Sequence, residues 1–445
     1  MPPTARPIFC DVQLSTPPTV PPFGADDQTG GSIGGYFSNR YGCRAPINDV
    51  TQRNAGGRVR AMWQGLAGWF DRLPARVVAG LFLLPFLFGF VKAFFKSVPW
   101  FTDFEAIACA GNALNQGHSI YTSVRDCPLF HPQPYVYTPI GAHFFALIQR
   151  TLGITTEVFL FGAIYCVLLA IVLHHLWRDD GQLRLRAPFL TGISASALHS
   201  GNVSIIIHAG IFLVATALPS APWALVPLVM LAGALKPTFA VYACLFLFTC
   251  RPWWERLLLS GISLVMIVGY LAGFAHLSAG EFAEWTQAVA SLGLNFERGH
   301  SLFGLPFIAQ ISSPPALGGI YLIFAAALGS AALAVSHLWL SDPIDRVSFG
   351  VSVCILLYPR LMDYDQYTLP FGLAALLQGW LLVRGESARM PLRLVQLGCL
   401  LAMILGGRLG GEWLFVMSSL LILSLGISAW RTREACGLPL SRARC

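Results

Sequence analysis

The sequence has few charged residues. Only 11% of its 445 residues are Asp, Glu, Lys or Arg, whereas 55% are hydrophobic. Soluble globular chains carry about a quarter charged residues. A shortage this large, spread over most of the chain, leaves only the membrane class of protein.

The sequence also lacks the motifs of nucleotide and metal chemistry. No P-loop, GxGxxG, HExxH or GxSxG pattern occurs in a suitable context. The nearest acidic pair, Asp363-Tyr364-Asp365, is predicted to face outward, away from cytosolic nucleotides. The eleven cysteines include no CxxC pair and no Cys/His cluster at zinc spacing. We therefore do not expect a nucleotide-sugar enzyme, and the sequence gives no signal for a metal or a cofactor.

Two cysteines differ from the rest, which lie mainly in apolar runs. Cys109 and Cys127 both fall in the first long polar loop. In an oxidising compartment they would form a disulfide that stabilises the loop by roughly 3 kcal/mol. The alternative is two free thiols, and the sequence leaves both open.

The apolar runs predict an all-α, polytopic transmembrane protein of about twelve spans. The predicted spans are Val77–Phe95, Val158–Trp177, Pro188–Ser200, Val203–Leu218, Trp223–Leu235, Thr238–Cys250, Leu257–Leu277, Ala316–Trp339, Val347–Tyr358, Thr368–Val383, Leu394–Leu405 and Trp413–Trp430. Several are shorter than the ~20 residues that a full span needs. The short ones either begin in the headgroup region or form hairpins broken at midplane.

Recurrent arginine clusters between the spans set the orientation. The net charge of +7 lies in these short clusters, which indicates topology rather than nucleic-acid binding. Clusters of positive charge are expected on the cytoplasmic side of a membrane. All the arginine clusters fall on that side if Ile140–Leu152 is an interfacial helix instead of a span. The segments that then face outward include Ser97–Tyr137, Ser278–Pro315 and Pro359–Tyr367.

The ends of the chain carry no predicted span. Residues 1–60 are rich in Pro, Gly, Ser and Thr, and we expect a disordered cytoplasmic segment. Met62 is an alternative start. Residues 61–435 form the predicted membrane domain, and 436–445 a short cytoplasmic tail.

Asp103 and Lys236 are the first candidate site residues. Asp103 follows the first span and is flanked by aromatics, so its carboxylate is placed to act as a general base. The alternative is an N-cap of the helical run Glu105–Asn115. Lys236-Pro237 interrupts an apolar stretch at its predicted outer end. A lysine within an apolar stretch is a candidate functional residue, here for binding a phosphate. Its alternative role is a snorkelling lysine at the interface.

The other candidates lie in outward turns. Arg360 is a candidate for binding an anion, with Asp363 or Asp365 orienting it, unless these residues only close a turn by a salt bridge. His300 lies in the second long outward loop, as a phosphate partner or as a residue that satisfies a backbone group. Asn202, after Gly201 in a tight turn, is free to bind a sugar hydroxyl. Outward aromatics such as Tyr137 either stack on sugars or belong to the membrane aromatic belt.

Five segments, taken in order, resemble glycosyltransferase family 87 of the GT-C superfamily. They are Asp103-Phe104 with the following Ala106, Ala110, Leu114, Gly117 and Tyr121; Tyr137-Thr138-Pro139-Ile140; Gly201-Asn202-Val203-Ser204; Leu235-Lys236-Pro237 with Arg251-Pro252-Trp253-Trp254; and Pro359-Arg360 with Tyr364-Asp365. The likeness covers roughly Val77 to Val383. Thr138 stands where the family has Pro, Asn202 where it has Gln, and the Tyr364-Asp365 motif lacks the His of some members.

The resemblance implies an inverting, metal-independent transferase with a GT-C-like fold. Such enzymes move a hexose or pentose, often mannose, from a polyprenyl-phosphate donor to a glycan or glycolipid. By resemblance the site lies on the extracytoplasmic face of a bacterial cytoplasmic membrane, with Asp103 as the base. Substrate contacts are expected at Tyr137, Asn202, Lys236, His300, Arg360 and Asp365. The alternatives are a transporter or flippase of lipid-linked sugars, and a polymerase or ligase of surface polysaccharide.

Overall fold

The structure is a bundle of helices of unequal length. The computed structural model describes residues 72–96, 100–121, 127, 134–178, 180–295, 299–385 and 389–436. Throughout these ranges the regular elements are all helical, which confirms the predicted all-α class for them. The α-helices are α1 (Ala75–Phe82), α2 (Leu84–Phe95), α3 (Thr102–Asn115), α4 (Pro139–Leu152), α5 (Ile154–Trp177), α6 (Asp180–Arg186), α7 (Ala195–Ser200), α8 (Val203–Ala217), α9 (Val226–Leu235), α10 (Trp253–Leu277), α11 (Ala279–Asn295), α12 (Pro314–Trp339), α13 (Pro343–Leu356), α14 (Leu369–Arg384), α15 (Arg389–Leu405) and α16 (Gly407–Cys436).

Several helices are long and apolar enough to cross a membrane. Among the described residues these are α5, α10, α12 and the stretch Leu409–Thr432 of α16. The pair α1 and α2, bent by 50°, makes a fifth if it counts as one span. The apolar helices confirm a membrane-associated protein, whereas the count of twelve spans stays a prediction. The predicted segments at 1–60 and 437–445 lie outside the described residues.

The stretch predicted as an interfacial helix is a helix of its own. It forms α4, which ends at Leu152, and α5 begins two residues later at Ile154. Gly153 between them has a φ of +79°, a backbone conformation that favours glycine. This break confirms a separate short helix over residues 140–152, and its position at the membrane interface stays a prediction.

The predicted span Thr238–Cys250 differs from an α-helix. Pro237–Phe248 forms a 3₁₀-helix of twelve residues, which is long for this geometry. A 3₁₀-helix rises about 2.0 Å per residue, so the segment reaches about 24 Å, against about 18 Å for an α-helix of equal length. The tighter winding lets a short apolar run extend further through the bundle.

The first polar loop is tied to α3. Cys109, near the middle of α3, forms a disulfide with Cys127, which settles the alternatives left open by the sequence. The same helix packs on α4, and Phe104 of α3 stacks on Phe161 of α5 with ring centroids 4.0 Å apart. Together these contacts fix the N-terminal end of α3 against the bundle.

Two tight turns bring the starts of α3 and α8 together. Phe101, before α3, has a φ of +64°, and its N–H donates to the carbonyl of His199 at 2.5 Å. Gly201, before α8, has a φ of +61°, and a Cβ there would lie 2.8 Å from the Cα of Phe101. The backbone therefore approaches too closely for any side chain at position 201.

We predict that Gly201→Ala destabilises the protein by about 1–3 kcal/mol, since it adds a left-handed alanine and a steric overlap. The expected result is a lower thermal unfolding midpoint in detergent. Gly269→Ala is the control, because Gly269 lies within α10 and a Cβ there meets nothing within 4 Å. A Gly201→Ala midpoint equal to that of the control would show that the turn is not constrained.

Candidate functional site

Asp103 lies in the first turn of α3, as its second residue. The N-cap position belongs to Phe101, whose left-handed backbone starts the helix without a side-chain cap. The alternative role of Asp103 as an N-cap is therefore wrong. A carboxylate in the first helical turn still benefits from the positive end of the helix dipole. The carboxyl group is partly buried and points towards the start of α8.

Asn202 holds the Asp103 carboxylate. Its Nδ2 donates to Oδ2 of Asp103 at 2.9 Å, and its Oδ1 accepts from the N–H of Ser204 at 2.8 Å as the N-cap of α8. The tight turn at Gly201 is thus confirmed. Asn202 itself is buried, and its amide is hydrogen-bonded within the protein at both ends. Its binding of a sugar hydroxyl stays a prediction.

Lys236 lies between α9 and the 3₁₀-helix Pro237–Phe248. The proline that follows disfavours a helical conformation at Lys236, whose backbone is extended (φ −144°, ψ 106°), so α9 ends there. The ammonium Nζ donates to the hydroxyl of Ser204 at 3.4 Å, two residues beyond Asn202. The turn therefore brings the Lys236 charge to the same end of α8 as Asp103.

Three aromatic rings surround the Lys236 ammonium. Its Nζ lies 5.4 Å from the ring centroid of Tyr358, 5.5 Å from that of Phe239 and 6.0 Å from that of Tyr137. Such cation–π contacts stabilise a partly desolvated ammonium by about 0.5–2 kcal/mol each. Tyr137 is therefore brought next to Lys236, as a buried ring rather than as part of an exposed aromatic belt.

Thr138 fixes the Tyr137 segment to the end of α9. Its hydroxyl donates to the carbonyl of Ala234 at 2.5 Å, and its N–H donates to the carbonyl of Leu235 at 3.1 Å. Both carbonyls lie in the last turn of α9, where intrahelical donors are lacking. The threonine that departs from the family pattern thus satisfies the helix end beside Lys236.

Beneath Lys236 lies a buried chain of polar groups that the sequence analysis missed. Asp365 Oδ1 is 2.9 Å from Nε2 of His208, and His208 Nδ1 is 2.5 Å from the hydroxyl of Tyr242. The other Asp365 oxygen accepts from the N–H of Met362 at 2.8 Å. His208 lies within an apolar span prediction, and an ionisable residue in such a run was the available signal. Asp365 is therefore locked in place rather than open to solvent.

His300 holds the turn that carries Arg360. Its Nε2 is 2.7 Å from Oδ1 of Asp363, and its N–H donates to the carbonyl of Leu361 at 2.5 Å. Ser301 next to it donates its hydroxyl to the carbonyl of Pro359. The His300 side chain thus pairs with a carboxylate, whereas the contact with the loop backbone comes from its own N–H. Its role as a phosphate partner stays a prediction. The positive charge of Arg360 acts on both Asp103 and Lys236.

The four charges at this end of the bundle influence one another. Burial raises the pKa of Asp103 above its usual value, and the Asn202 amide and the charges of Lys236 and Arg360 offset part of that rise. Burial lowers the pKa of Lys236, and the charges of Asp365 and Asp103 act in the opposite direction. Two carboxylates and two cations thus act on one another, and such a group of charges can accept a proton and hold an anion.

Metal ligation is a separate question. Within the part of the chain that the structure describes, no group of three or more His, Cys, Asp or Glu side chains is arranged to hold a metal ion.

We predict that Asn202→Ala raises the pKa of Asp103, because it removes the hydrogen bond that favours the ionised carboxylate. Infrared titration follows the protonated-carboxyl band, and the band that disappears in Asp103→Asn is assigned to Asp103. The control is Asn115→Ala, since Asn115 lies at the other end of α3 and contacts α4. A midpoint in Asn202→Ala that equals or falls below the wild-type midpoint would contradict this assignment.

Comparison with known proteins identifies no family and no function for this chain. No family model, no curated protein and no solved structure matches this chain. The resemblance to glycosyltransferase family 87 therefore rests on its five sequence segments. The structure brings four of these, at Asp103, Tyr137, Asn202 and Lys236, into one cluster, with the charge of Arg360 beside it.

Proposed function

We propose that the protein is an inverting glycosyltransferase that uses a polyprenyl-phosphate sugar as donor. The observation that supports this most is the position of Asp103, a partly exposed carboxylate held by an amide beside two cations. A proton acceptor and an anion site in one cleft are what transfer from a sugar phosphate requires. The proposed acceptor is a glycan or glycolipid outside a bacterial cytoplasmic membrane.

In the proposed reaction Asp103 takes the proton of the acceptor hydroxyl. The acceptor oxygen attacks the anomeric carbon of the donor sugar from the face opposite the phosphate. The new carbon–oxygen bond forms as the bond from the anomeric carbon to the phosphate oxygen breaks, which inverts the anomeric centre. The electron pair of that bond leaves with the polyprenyl phosphate, and the proton stays on Asp103.

Lys236 and Arg360 are proposed to stabilise the leaving phosphate. The donor is a phosphodiester with one negative charge, and the departing polyprenyl phosphate gains a second. Fixed cations interact more strongly with the growing charge than with the ground state, so they lower the barrier. The aromatic rings and Ser204 around Lys236 hold its ammonium in position before the donor binds.

The other candidate residues take supporting roles in this proposal. Asn202 orients Asp103, and His300 fixes the turn that carries Arg360. Asp365, locked by His208, keeps a negative charge beneath Lys236 and so favours its ionised form. Tyr137 forms part of the wall around the ammonium.

The prenyl chain is proposed to lie along α4. This helix presents large apolar side chains outward, with Phe144 58% exposed and Leu147 60% exposed. Its inner face packs on α3, which carries Asp103. A lipid chain held there would place its phosphate at the end of the bundle where Lys236 lies.

We predict that Asp103→Asn lowers the rate of sugar transfer by about 10²–10⁴-fold, the usual contribution of a general base. Donor affinity should change little, because the amide occupies the same volume. The measurement is transfer from labelled polyprenyl-phosphate mannose and related donors, together with donor binding. Full activity in Asp103→Asn would end this mechanism.

We predict that Lys236→Met lowers transfer by about 10²–10³-fold, comparable to the loss of one oxyanion donor. The methionine keeps the apolar stem but removes the charge. Lys92→Met is the matched control, because Lys92 is an exposed lysine on α2. Equal activities of the two variants would remove Lys236 from the phosphate site.

A further inference from the structure

A cavity lies at the opposite end of α8 from Asp103. Its volume is about 520 Å³, within the usual range of about 300–1,000 Å³ for ligand pockets. The C-terminal ends of α5 and α8, the beginning of α13 and the end of α6 line it. Since α8 has fifteen residues, the two sites lie about 20 Å apart along its axis. The proposed transferase chemistry makes no use of this cavity.

The floor of the cavity is aromatic. The rings of Phe212 and Phe371 are stacked with centroids 4.2 Å apart, and the Arg186 guanidinium carbon lies 5.1 Å from the Phe371 centroid. Both phenylalanines are buried. The ring of Phe371 is therefore already in contact with the Phe212 ring and with the Arg186 guanidinium. These two rings do not form an aromatic cage of the kind that binds quaternary ammonium groups.

The cavity is lined by residues of both charges. Arg186 lines it, and its Nη1 donates to the carbonyl of His175 at 2.8 Å. Asp345, in the first turn of α13, contributes a carboxylate to the same lining. The positive charge of Arg186 acts on this carboxylate. A ligand that carries both charges can therefore engage both residues.

We propose that this cavity binds the phosphoethanolamine headgroup of a phospholipid. The phosphate contacts Arg186, and the primary ammonium, two carbons away, donates to Asp345. Apolar side chains continue from the cavity to the surface, where Ile344 is 47% exposed, as a lipid chain requires. The cavity includes residues at the C-terminal end of α5, a helix long and apolar enough to cross a membrane, and lipid headgroups lie at the ends of such helices.

This chemistry distinguishes the headgroup from its common competitors. A phosphatidylglycerol headgroup offers the phosphate but no cation for Asp345. A phosphatidylcholine headgroup has a quaternary ammonium, which cannot donate a hydrogen bond to a carboxylate. The cavity should therefore prefer phosphatidylethanolamine to both, and the preference should depend on Asp345.

The test is native mass spectrometry of the full chain, equilibrated with equal mixtures of the three phospholipids. We expect wild-type protein to retain phosphatidylethanolamine over phosphatidylcholine by roughly threefold to tenfold, and Asp345→Asn to lose that preference. Asp342→Asn is the matched control, because Asp342 caps α13 three residues earlier and asparagine preserves the cap. An equal preference in wild-type protein and Asp345→Asn, or an equal loss in both variants, would overturn the proposal.

Two further measurements test the phosphate contact at Arg186 and the need for acyl chains. Arg186→Gln should reduce the retention of all three lipids, and unchanged retention in this folded variant would contradict the phosphate contact. Soluble glycerophosphoethanolamine should not displace the lipid at matched concentration, since it lacks the acyl chains. Displacement would show that the cavity takes a free phosphoethanolamine ester, and the lipid assignment would be wrong.

Discussion

The candidate site depends on how the protein accommodates the charge of Lys236. Lys236 lies between two apolar helices, and withdrawing an ammonium from water is unfavourable unless neighbouring groups compensate. The structure supplies three aromatic rings, a hydroxyl and the negative charges of Asp103 and Asp365. Because these groups come from distant parts of the chain, the lysine fixes where α8, α9 and the turn before α14 meet.

The two carboxylates near Lys236 are held in different ways, and this separates their roles. Asp365 is fully buried, and both of its oxygens are engaged by His208 and the N–H of Met362. Asp103 keeps some exposure, and a single amide holds one of its oxygens. A locked carboxylate favours the charge of the lysine, whereas a partly exposed one remains available to a substrate proton. In the proposed mechanism Asp365 therefore supports the lysine charge, and Asp103 acts as the base.

Local sequence patterns predicted much of this site, and long-range contacts decided the rest. The apolar runs gave the helical class, Gly201 the tight turn, and the Lys236-Pro237 pair the end of α9. The contact between Asp103 and Asn202 spans 99 residues, so no local pattern could show that the amide is already occupied. Phe101 is a non-glycine residue in a left-handed conformation and takes the N-cap position, which excludes the alternative role of Asp103 as the N-cap. The His208 pair with Asp365 joins residues 157 apart and was missed for the same reason.

The proposed role of Asp103 and Lys236 is the transfer of a sugar from a lipid phosphate. It is tested by the release of polyprenyl phosphate when purified wild-type protein is given labelled polyprenyl-phosphate sugars and glycan acceptors. We expect acceptor-dependent release of one polyprenyl phosphate per sugar transferred, with an inverted anomeric centre in the product. Movement of the intact donor across proteoliposomes without release, or a strict need for a diphosphate donor, would rule out this mechanism.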